Sequence, residues 1–159
     1  MKKFFYSVLL AIMPVIAMSL ASCSDDNDLP DVSIDLQVEN GTMVDGTIYV
    51  VQGDTLNVTG IYVTNNDAGK AAAITNVRYY VDGYFIGESP FSPYPAYCIT
   101  DADTPVGSYD LGVACTVLAP DKSIASAALS YPFSVVKSAD EIPGGASRSA
   151  VATRTVSLK

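Results

Sequence analysis

The sequence predicts an all-β domain built from two packed sheets. About eight short runs favour strands, turn residues separate them every eight to twelve residues, and no run has the spacing of an amphipathic helix. A chain of 159 residues has room for one such domain with a substantial core. These observations favour a β-sandwich of about seven to eight strands.

Alternation of apolar and polar residues is clearest in the first predicted strand. Val32, Ile34, Leu36 and Val38 are apolar and the residues between them are polar, which indicates a strand with one buried face. The predicted strands are 32–39, 47–51, 56–63, 74–81, 84–86, 97–99, 108–118 and 124–136.

Turn residues indicate how these strands are joined. Asn40-Gly41 ends the first strand, and Asp82-Gly83 predicts a tight hairpin, because both dipeptides tolerate positive φ. Pro132 lies inside the last predicted strand and removes a backbone donor, so that part is expected at a sheet edge or a bulge.

The segment around the predicted hairpin is the most informative about topology. Residues 77–87, Val-Arg-Tyr-Tyr-Val-Asp-Gly-Tyr-Phe-Ile-Gly, resemble a recurring motif of bacterial immunoglobulin-like domains. Residues 105–111, Pro-Val-Gly-Ser-Tyr-Asp-Leu, and 50–56, Val-Val-Gln-Gly-Asp-Thr-Leu, resemble further parts of that family. The resemblance implies an immunoglobulin-like, two-sheet Greek-key sandwich. It also implies that Tyr109 forms a tyrosine corner with nearby backbone and that Leu111 lies in the core.

The N-terminus carries an export signal. Lys2 and Lys3 precede an apolar run closed by small residues, which is typical of a secretory signal peptide, and Pro14 interrupts the run. Residues 20–23, Leu-Ala-Ser-Cys, resemble the lipobox of bacterial lipoproteins. The resemblance implies cleavage before Cys23 and lipid attachment to its thiol, and two or more acyl chains anchor a protein stably in a bilayer.

Four parts of the chain are therefore predicted. They are a signal peptide at 1–22, a lipidated acidic tether at 23–31, the sandwich at 32–137, and a flexible tail or extra C-terminal strand at 138–159. The acidic run after Cys23 resembles signals that export lipoproteins to the cell face. We expect an outer-membrane lipoprotein exposed at the cell surface, with a periplasm-facing one as the alternative.

Composition argues against several classes of function. The chain has 9 basic and 17 acidic residues, a net charge of −8, which disfavours nucleic acid as a partner. It has no histidine, the commonest general base and metal ligand. Asp101 and Asp103 are the nearest carboxylate pair but lie in a predicted solvated loop, and with Asp67 they lack calcium-loop spacing. We expect no catalysis, no cofactor and no metal.

Cys98 and Cys115 are the cysteines other than Cys23. A disulfide between them would enclose 16 residues and add roughly 3 kcal/mol of stability. Strand alternation argues against it: with Tyr97 and Ile99 facing the core, Cys98 points outward, whereas Cys115 points inward. Two free thiols are the favoured expectation and the disulfide is the alternative.

Four aromatic residues around the proline-rich segment form the candidate ligand-binding site: Phe85, Phe91, Tyr94 and Tyr97. Prolines restrict the backbone, so rings there meet a glycan or a protein at low entropic cost. A simpler interpretation is that these rings cap the core. The expected function is a binding module for a polysaccharide or a surface protein, with the lipid bilayer as partner of Cys23. The alternative is a structural spacer or assembly subunit that uses a sheet edge or the strand-like residues 151–158.

Overall fold

The structure, a computed structural model, describes residues 31–66, 72–119, 122–145 and 149–157. Cys23, the signal peptide and most of the tether lie outside these residues. The strands are β1 Asp31–Glu39, β2 Thr42–Val44, β3 Thr47–Val51, β4 Asn57–Asn65, β5 Ala73–Val81, β6 Tyr84–Ser89, β7 Gly107–Ala119, β8 Lys122–Val136 and β9 Ser149–Ser157. A 3-10 turn, Ala139–Glu141, precedes β9. The described part contains no helix long and apolar enough to cross a bilayer.

Two sheets are formed, as predicted. One has the order β4-β1-β9 and the other β2-β3-β8-β7-β5-β6. Neighbouring strands are antiparallel except β3 and β8, which run parallel. β1 and β4 take the positions of immunoglobulin strands A and B, whereas β5, β7 and β8 take those of C, F and G. The domain is therefore an immunoglobulin-like β-sandwich.

The core lies between the sheets and follows the alternation seen in the sequence. Buried residues of β1 and β7 alternate with partly exposed ones. The inward side chains of these two strands are Val32, Ile34, Leu36, Val38, Leu111, Val113, Cys115 and Val117. Each fully buried apolar side chain contributes about 1.5–3 kcal/mol, so this layer holds the sheets together by apolar packing.

The predicted hairpin between β5 and β6 is confirmed. Asp82 has φ 49° and Gly83 has φ 81°, the pair of positive values that a type I′ turn requires. The Asp82 carboxylate Oδ1 accepts a hydrogen bond from the Asp110 N–H at 2.8 Å, and its own N–H donates to the Asp110 carbonyl at 2.9 Å. These two bonds join the turn to β7.

The tyrosine corner is also present. The Tyr109 hydroxyl donates to the Pro105 carbonyl oxygen at 2.8 Å, four residues upstream. Its half-buried ring stacks on Phe133 with centroids 5.1 Å apart and planes at 16°. The start of β7 is thereby held against the loop that leads into it.

The predicted strand at 97–99 is wrong. Only Ala96 pairs with β4, through an isolated bridge to Val58. Cys98 has φ 57°, which interrupts the extended backbone, and Tyr97 is exposed instead of facing the core. The position of the fifth immunoglobulin strand, E, is therefore reduced to a single bridge.

Pro132 lies where β8 changes from an edge strand to an interior one. Asp110 of β7 lies opposite Pro132, and β3 joins the other side only from Phe133 onward. The expected edge position is confirmed, because β3 does not reach the residue that lacks the backbone donor.

The C-terminal segment adds a strand to this sandwich. β9 pairs antiparallel with β1 along its whole length, from Asp31 opposite Ser157 to Glu39 opposite Ser149. The sandwich therefore continues past the predicted boundary at 137, to Ser157.

Candidate functional site

The proline-rich crossing, residues 90–106, links β6 to β7 and follows the outer edge of β4. The Ile61 N–H donates to the Pro93 carbonyl at 2.8 Å, and the Val58 N–H donates to the Ala96 carbonyl at 2.7 Å. Further along, the Ile99 N–H donates to the Leu56 carbonyl at 2.9 Å. The crossing is thus held by backbone bonds at three levels of the sheet.

Tyr94 anchors the crossing in the core and is not available to a ligand. Its ring is 9% exposed, and its hydroxyl donates to the Ile74 carbonyl. Its own carbonyl accepts from the hydroxyl of Tyr79. The expectation that Tyr94 belongs to the binding site is therefore corrected. Its ring is a core residue, because the hydroxyl is already bonded to a buried backbone carbonyl.

Phe91 and Tyr97 lie on the same crossing with their rings in solvent. Phe91 is 79% exposed and Tyr97 is 70% exposed. The backbone beside Tyr97 is fixed, because the Cys98 N–H donates to Asn57 Oδ1 at 2.9 Å. These two rings are large apolar surfaces on a backbone that is already ordered.

Phe85 lies apart from these rings, at the hairpin end of β6. It is exposed and meets Tyr80 edge to face, with centroids 5.8 Å apart. At roughly 3.3 Å per residue, the four steps from Phe85 to Ser89 alone span about 13 Å of strand before the crossing begins. The four predicted residues thus divide into one core anchor, two exposed rings on the crossing and one ring on β6.

Two exposed residues beside Phe85 were not predicted from the sequence. Tyr84 and Ile86 are also exposed, so three consecutive large apolar residues of β6 contact solvent. A run of apolar residues in a short strand after a tight turn was the available signal. That run did not reveal whether β6 lies at the edge of the sheet or inside it.

The two cysteines are separate free thiols, so the disulfide considered between them does not form. Cys98 is exposed on the crossing and Cys115 is buried in β7. Burial raises the pKa of the Cys115 thiol from its ordinary value of 9.0 to about 11, with the Ala127 backbone partly opposing the shift. A neutral buried thiol acts as a small apolar core residue.

The loop carboxylates serve the backbone of their own turn. Asp101 Oδ1 accepts from the Asp103 N–H at 3.1 Å and from the Thr104 hydroxyl at 2.8 Å. Within residues 31–66, 72–119, 122–145 and 149–157, no three acidic, cysteine or histidine residues cluster closely enough to hold a metal ion.

Burial also perturbs two core tyrosines. It raises the pKa of both Tyr79 and Tyr131, and the nearby Arg154 partly opposes this shift at Tyr131. The Arg154 guanidinium lies over the Tyr131 ring, 5.6 Å from its centroid. The hydroxyls of Tyr79 and Tyr131 stay neutral at physiological pH, and their buried rings stabilise the packing between the sheets.

Comparison with known proteins gives a likeness of fold alone. No protein-family model and no curated protein matches the chain. Among solved structures, the chain is similar to fibronectin(III)-like modules of Clostridium thermocellum CbhA, at 18% identity and a TM-score of 0.40. The alignment covers 67% of this chain but only 47% of that one, so it spans less than half of the neighbour's length.

Proposed function

We propose that this protein is a non-catalytic, lipid-anchored binding module that recognises a polysaccharide through Phe91 and Tyr97. The observation that carries the proposal is the exposure of these two rings on a crossing whose backbone is fixed by β4 and by buried Tyr94. Because the backbone that carries these rings is already ordered, the protein loses little conformational entropy when it binds a ligand there.

A neutral glycan suits this surface. The C–H bonds on the face of a pyranose ring pack against the electron-rich face of an aromatic ring, in an attraction that needs no charge. The chain carries a net charge of −8, so an acidic polymer would be repelled. A surface protein is the other partner class that exposed aromatic rings accept.

The test is affinity electrophoresis of residues 31–159 through gels that contain neutral polysaccharides. This fragment keeps every described strand and the buried core. We expect one polymer to retard the fragment, and Phe91→Ala and Tyr97→Ala to abolish the retardation. Tyr84→Ala, which removes an exposed ring at the hairpin end of β6, is the matched control and should leave mobility unchanged.

Two results would argue against the glycan proposal. Equal retardation of the wild type and both variants would place the glycan elsewhere on the molecule. No retardation by any polymer, together with cross-linking of Tyr97 to a protein on intact cells, would make the partner a protein.

The proposal includes the anchor and the surface location. Cys23 supplies the thiol for acylation, and the tether from Ser24 to Asp31 would reach roughly 25 Å from the bilayer when extended. Cys23→Ala is expected to move the protein from the detergent phase to the aqueous phase in a detergent-partition assay. Digestion by protease added to intact cells would support surface exposure, and full protection would place the domain in the periplasm.

Assembly through the C-terminal arm has less support. β9 occupies the edge of β1 in its own domain, so residues 149–157 are already paired and do not extend freely toward another subunit. Binding through a sheet edge is a different possibility, because the edge strand β6 exposes three large apolar side chains.

A further inference from the structure

β6 is the edge strand of the six-stranded sheet. One side of the strand pairs with β5, and no described strand pairs with the other. The three consecutive residues Tyr84, Phe85 and Ile86 are exposed. The strand thus offers unpaired backbone groups together with apolar side chains, the combination that accepts an added strand.

The other three terminal strands, β4, β2 and β9, are each protected. The proline-rich crossing covers part of the β4 edge through Pro93 and Ala96. β2 is only three residues long, and β9 is mostly small and polar, with Arg154 pointing between the sheets. Short length, covering segments and inward charges are the usual ways in which proteins block edge pairing. β8 is also free on one side before β3 joins it at Phe133, but the residues that it exposes there, Ser126, Ala128 and Ser130, are small. Among the edges in the described residues, β6 alone combines several exposed large apolar side chains with useful length.

The charge on β6 is already neutralised. Glu88 is its only charged residue, and it accepts from Asn76 Nδ2 at 2.5 Å and pairs with Arg78 at 3.4 Å. A bulge at Ile86 shifts the register between β5 and β6, which helps to explain why adjacent apolar residues are both exposed. The strand itself therefore presents no lysine or unpaired charge to a partner.

We propose that β6 binds an extended, uncharged or basic segment of another protein, which adds to the sheet as a seventh strand. Backbone hydrogen bonds at the edge would hold the segment, and Phe85 would contact its apolar side chains on the outer face. This proposal does not rest on glycan binding, since it uses a different part of the surface.

A second copy of this chain is the less suitable occupant. Two copies each carry a net charge of −8 and repel one another. A six-residue strand also falls far short of the roughly 20–30 residues per side that a stable dimer interface uses. A strand-sized segment of a partner without acidic residues fits both the length and the charge of the site.

The test uses a synthetic peptide with the sequence of β5, residues 73–81. β6 already pairs with this sequence on its inner side, and the peptide carries one positive charge, that of Arg78. We would add it, with blocked ends, to ¹⁵N-labelled residues 31–159 and follow the amide resonances. We expect saturable shifts at residues 84–89 and none at Phe91 or Tyr97. A peptide with proline in place of Val77, which loses a ladder donor, should bind about tenfold more weakly.

Matched lysine substitutions test the location. Phe85→Lys and Ile86→Lys should weaken peptide binding about tenfold, because a charge on the edge opposes strand addition. Val151→Lys is the control on the β9 edge, since Val151 is 54% exposed and Phe85 59%. Thermal unfolding of each variant would confirm that the fold is retained.

Several outcomes would overturn the proposal. One is the absence of amide shifts in β6 at peptide concentrations up to millimolar. Another is a set of shifts that extends into β7, which would mean that the peptide replaces β5. A third is an equal loss of peptide binding in Phe85→Lys and Val151→Lys. A dimer in sedimentation that Phe85→Lys dissolves would make the occupant a second copy. Peptide binding that survives Phe91→Ala and Tyr97→Ala separates this site from the glycan surface.

Discussion

Tyrosine hydroxyls bonded to backbone carbonyls hold both ends of the proline-rich crossing. Tyr109 holds the start of β7 through Pro105, and Tyr94 holds the crossing through Ile74. In each case the ring packs against the domain while its hydroxyl satisfies a backbone carbonyl. Single tyrosines therefore position the segments that carry the exposed rings.

Tyr109→Phe tests the tyrosine corner. The substitution removes the 2.8 Å bond to Pro105 and keeps the stack on Phe133, so we expect a loss of about 1 kcal/mol in the free energy of unfolding. Urea unfolding of residues 31–159 measures this loss. Tyr84→Phe, at an exposed ring, is the control and should change nothing. An unchanged midpoint for Tyr109→Phe would show that the bond contributes no stability.

The two thiols are predicted to differ in reactivity and in their effect on stability. An exposed Cys98 should react with a thiol reagent in the native state, and buried Cys115 only after unfolding. Reaction of both at one rate, or of neither, would contradict the assignment of one exposed and one buried thiol.

The raised pKa of Cys115 also predicts how stability depends on pH. Above pH 9.0 the unfolded thiol loses its proton, whereas the folded thiol keeps it until about pH 11. The unfolded state is favoured in that interval, so the free energy of unfolding should fall between about pH 9 and 11. Burial of Tyr79 and Tyr131 acts in the same direction at higher pH. Cys115→Ala should flatten the fall between pH 9 and 10 in urea titrations, and an identical slope would contradict this origin.

At the scale of elements, the β5–β6 hairpin determines where the edge strand β6 lies. Its turn places Asp82 and Gly83 in the left-handed region and joins Asp82 to Asp110 of β7. A glycine has no Cβ to oppose a φ of 81°. The turn chemistry therefore fixes the register of β6 against β5, and with it the exposed position of Phe85.

Gly83→Ala tests this turn. We expect a loss of about 1–2 kcal/mol, the cost of a left-handed backbone for an L-residue. Gly87→Ala in β6 is the matched control, because an added Cβ there meets nothing within 4 Å and its φ is not positive. Equal chemical-denaturation midpoints for the two variants would mean that the turn is not strained by a side chain.

At the scale of the whole molecule, the sandwich is closed by its last strand. β9 pairs with every residue of β1, and Arg154 reaches over Tyr131 of the opposite sheet. The first and last described strands are thus adjacent, which makes the domain depend on residues far beyond the apparent end of the immunoglobulin-like pattern.

Truncation after Val136 tests this dependence. Loss of β9 would free the edge of β1, remove the buried side chain of Ala152 and take Arg154 away from the buried ring of Tyr131, so we expect roughly 2–4 kcal/mol of destabilisation. Amide hydrogen exchange should show faster exchange in β1 for residues 31–136 than for 31–159. Equal protection in both fragments would show that β9 adds no stability.

Local sequence patterns were enough to predict most strands. Period-two alternation and runs of strand-forming residues located β1, β5, β7 and β8 within a few residues, and Asp82-Gly83 identified the hairpin. The resemblance to immunoglobulin-like domains predicted the immunoglobulin-like topology and the corner formed by Tyr109. The predicted strand at 97–99 was wrong because the apolar character of Tyr97 and Ile99 did not reveal the positive φ at Cys98.

The candidate site was predicted less well, for a physical reason. Phe91 and Tyr94 are three residues apart with similar side chains, yet Phe91 is exposed and Tyr94 is buried. The difference lies in the carbonyl of Ile74 and the hydroxyl of Tyr79, which come from β5 and are distant in sequence. No local pattern contains that information.

The sequence by itself determined the strand-forming segments, the turns, the acidic charge and the absence of histidine, because these depend on each residue and its near neighbours. Only the tertiary structure decided which aromatic rings remain in solvent, that β9 pairs with β1, and that β6 is a free edge. These properties depend on pairing between segments far apart in the chain, where burial and hydrogen bonding are shared among several strands.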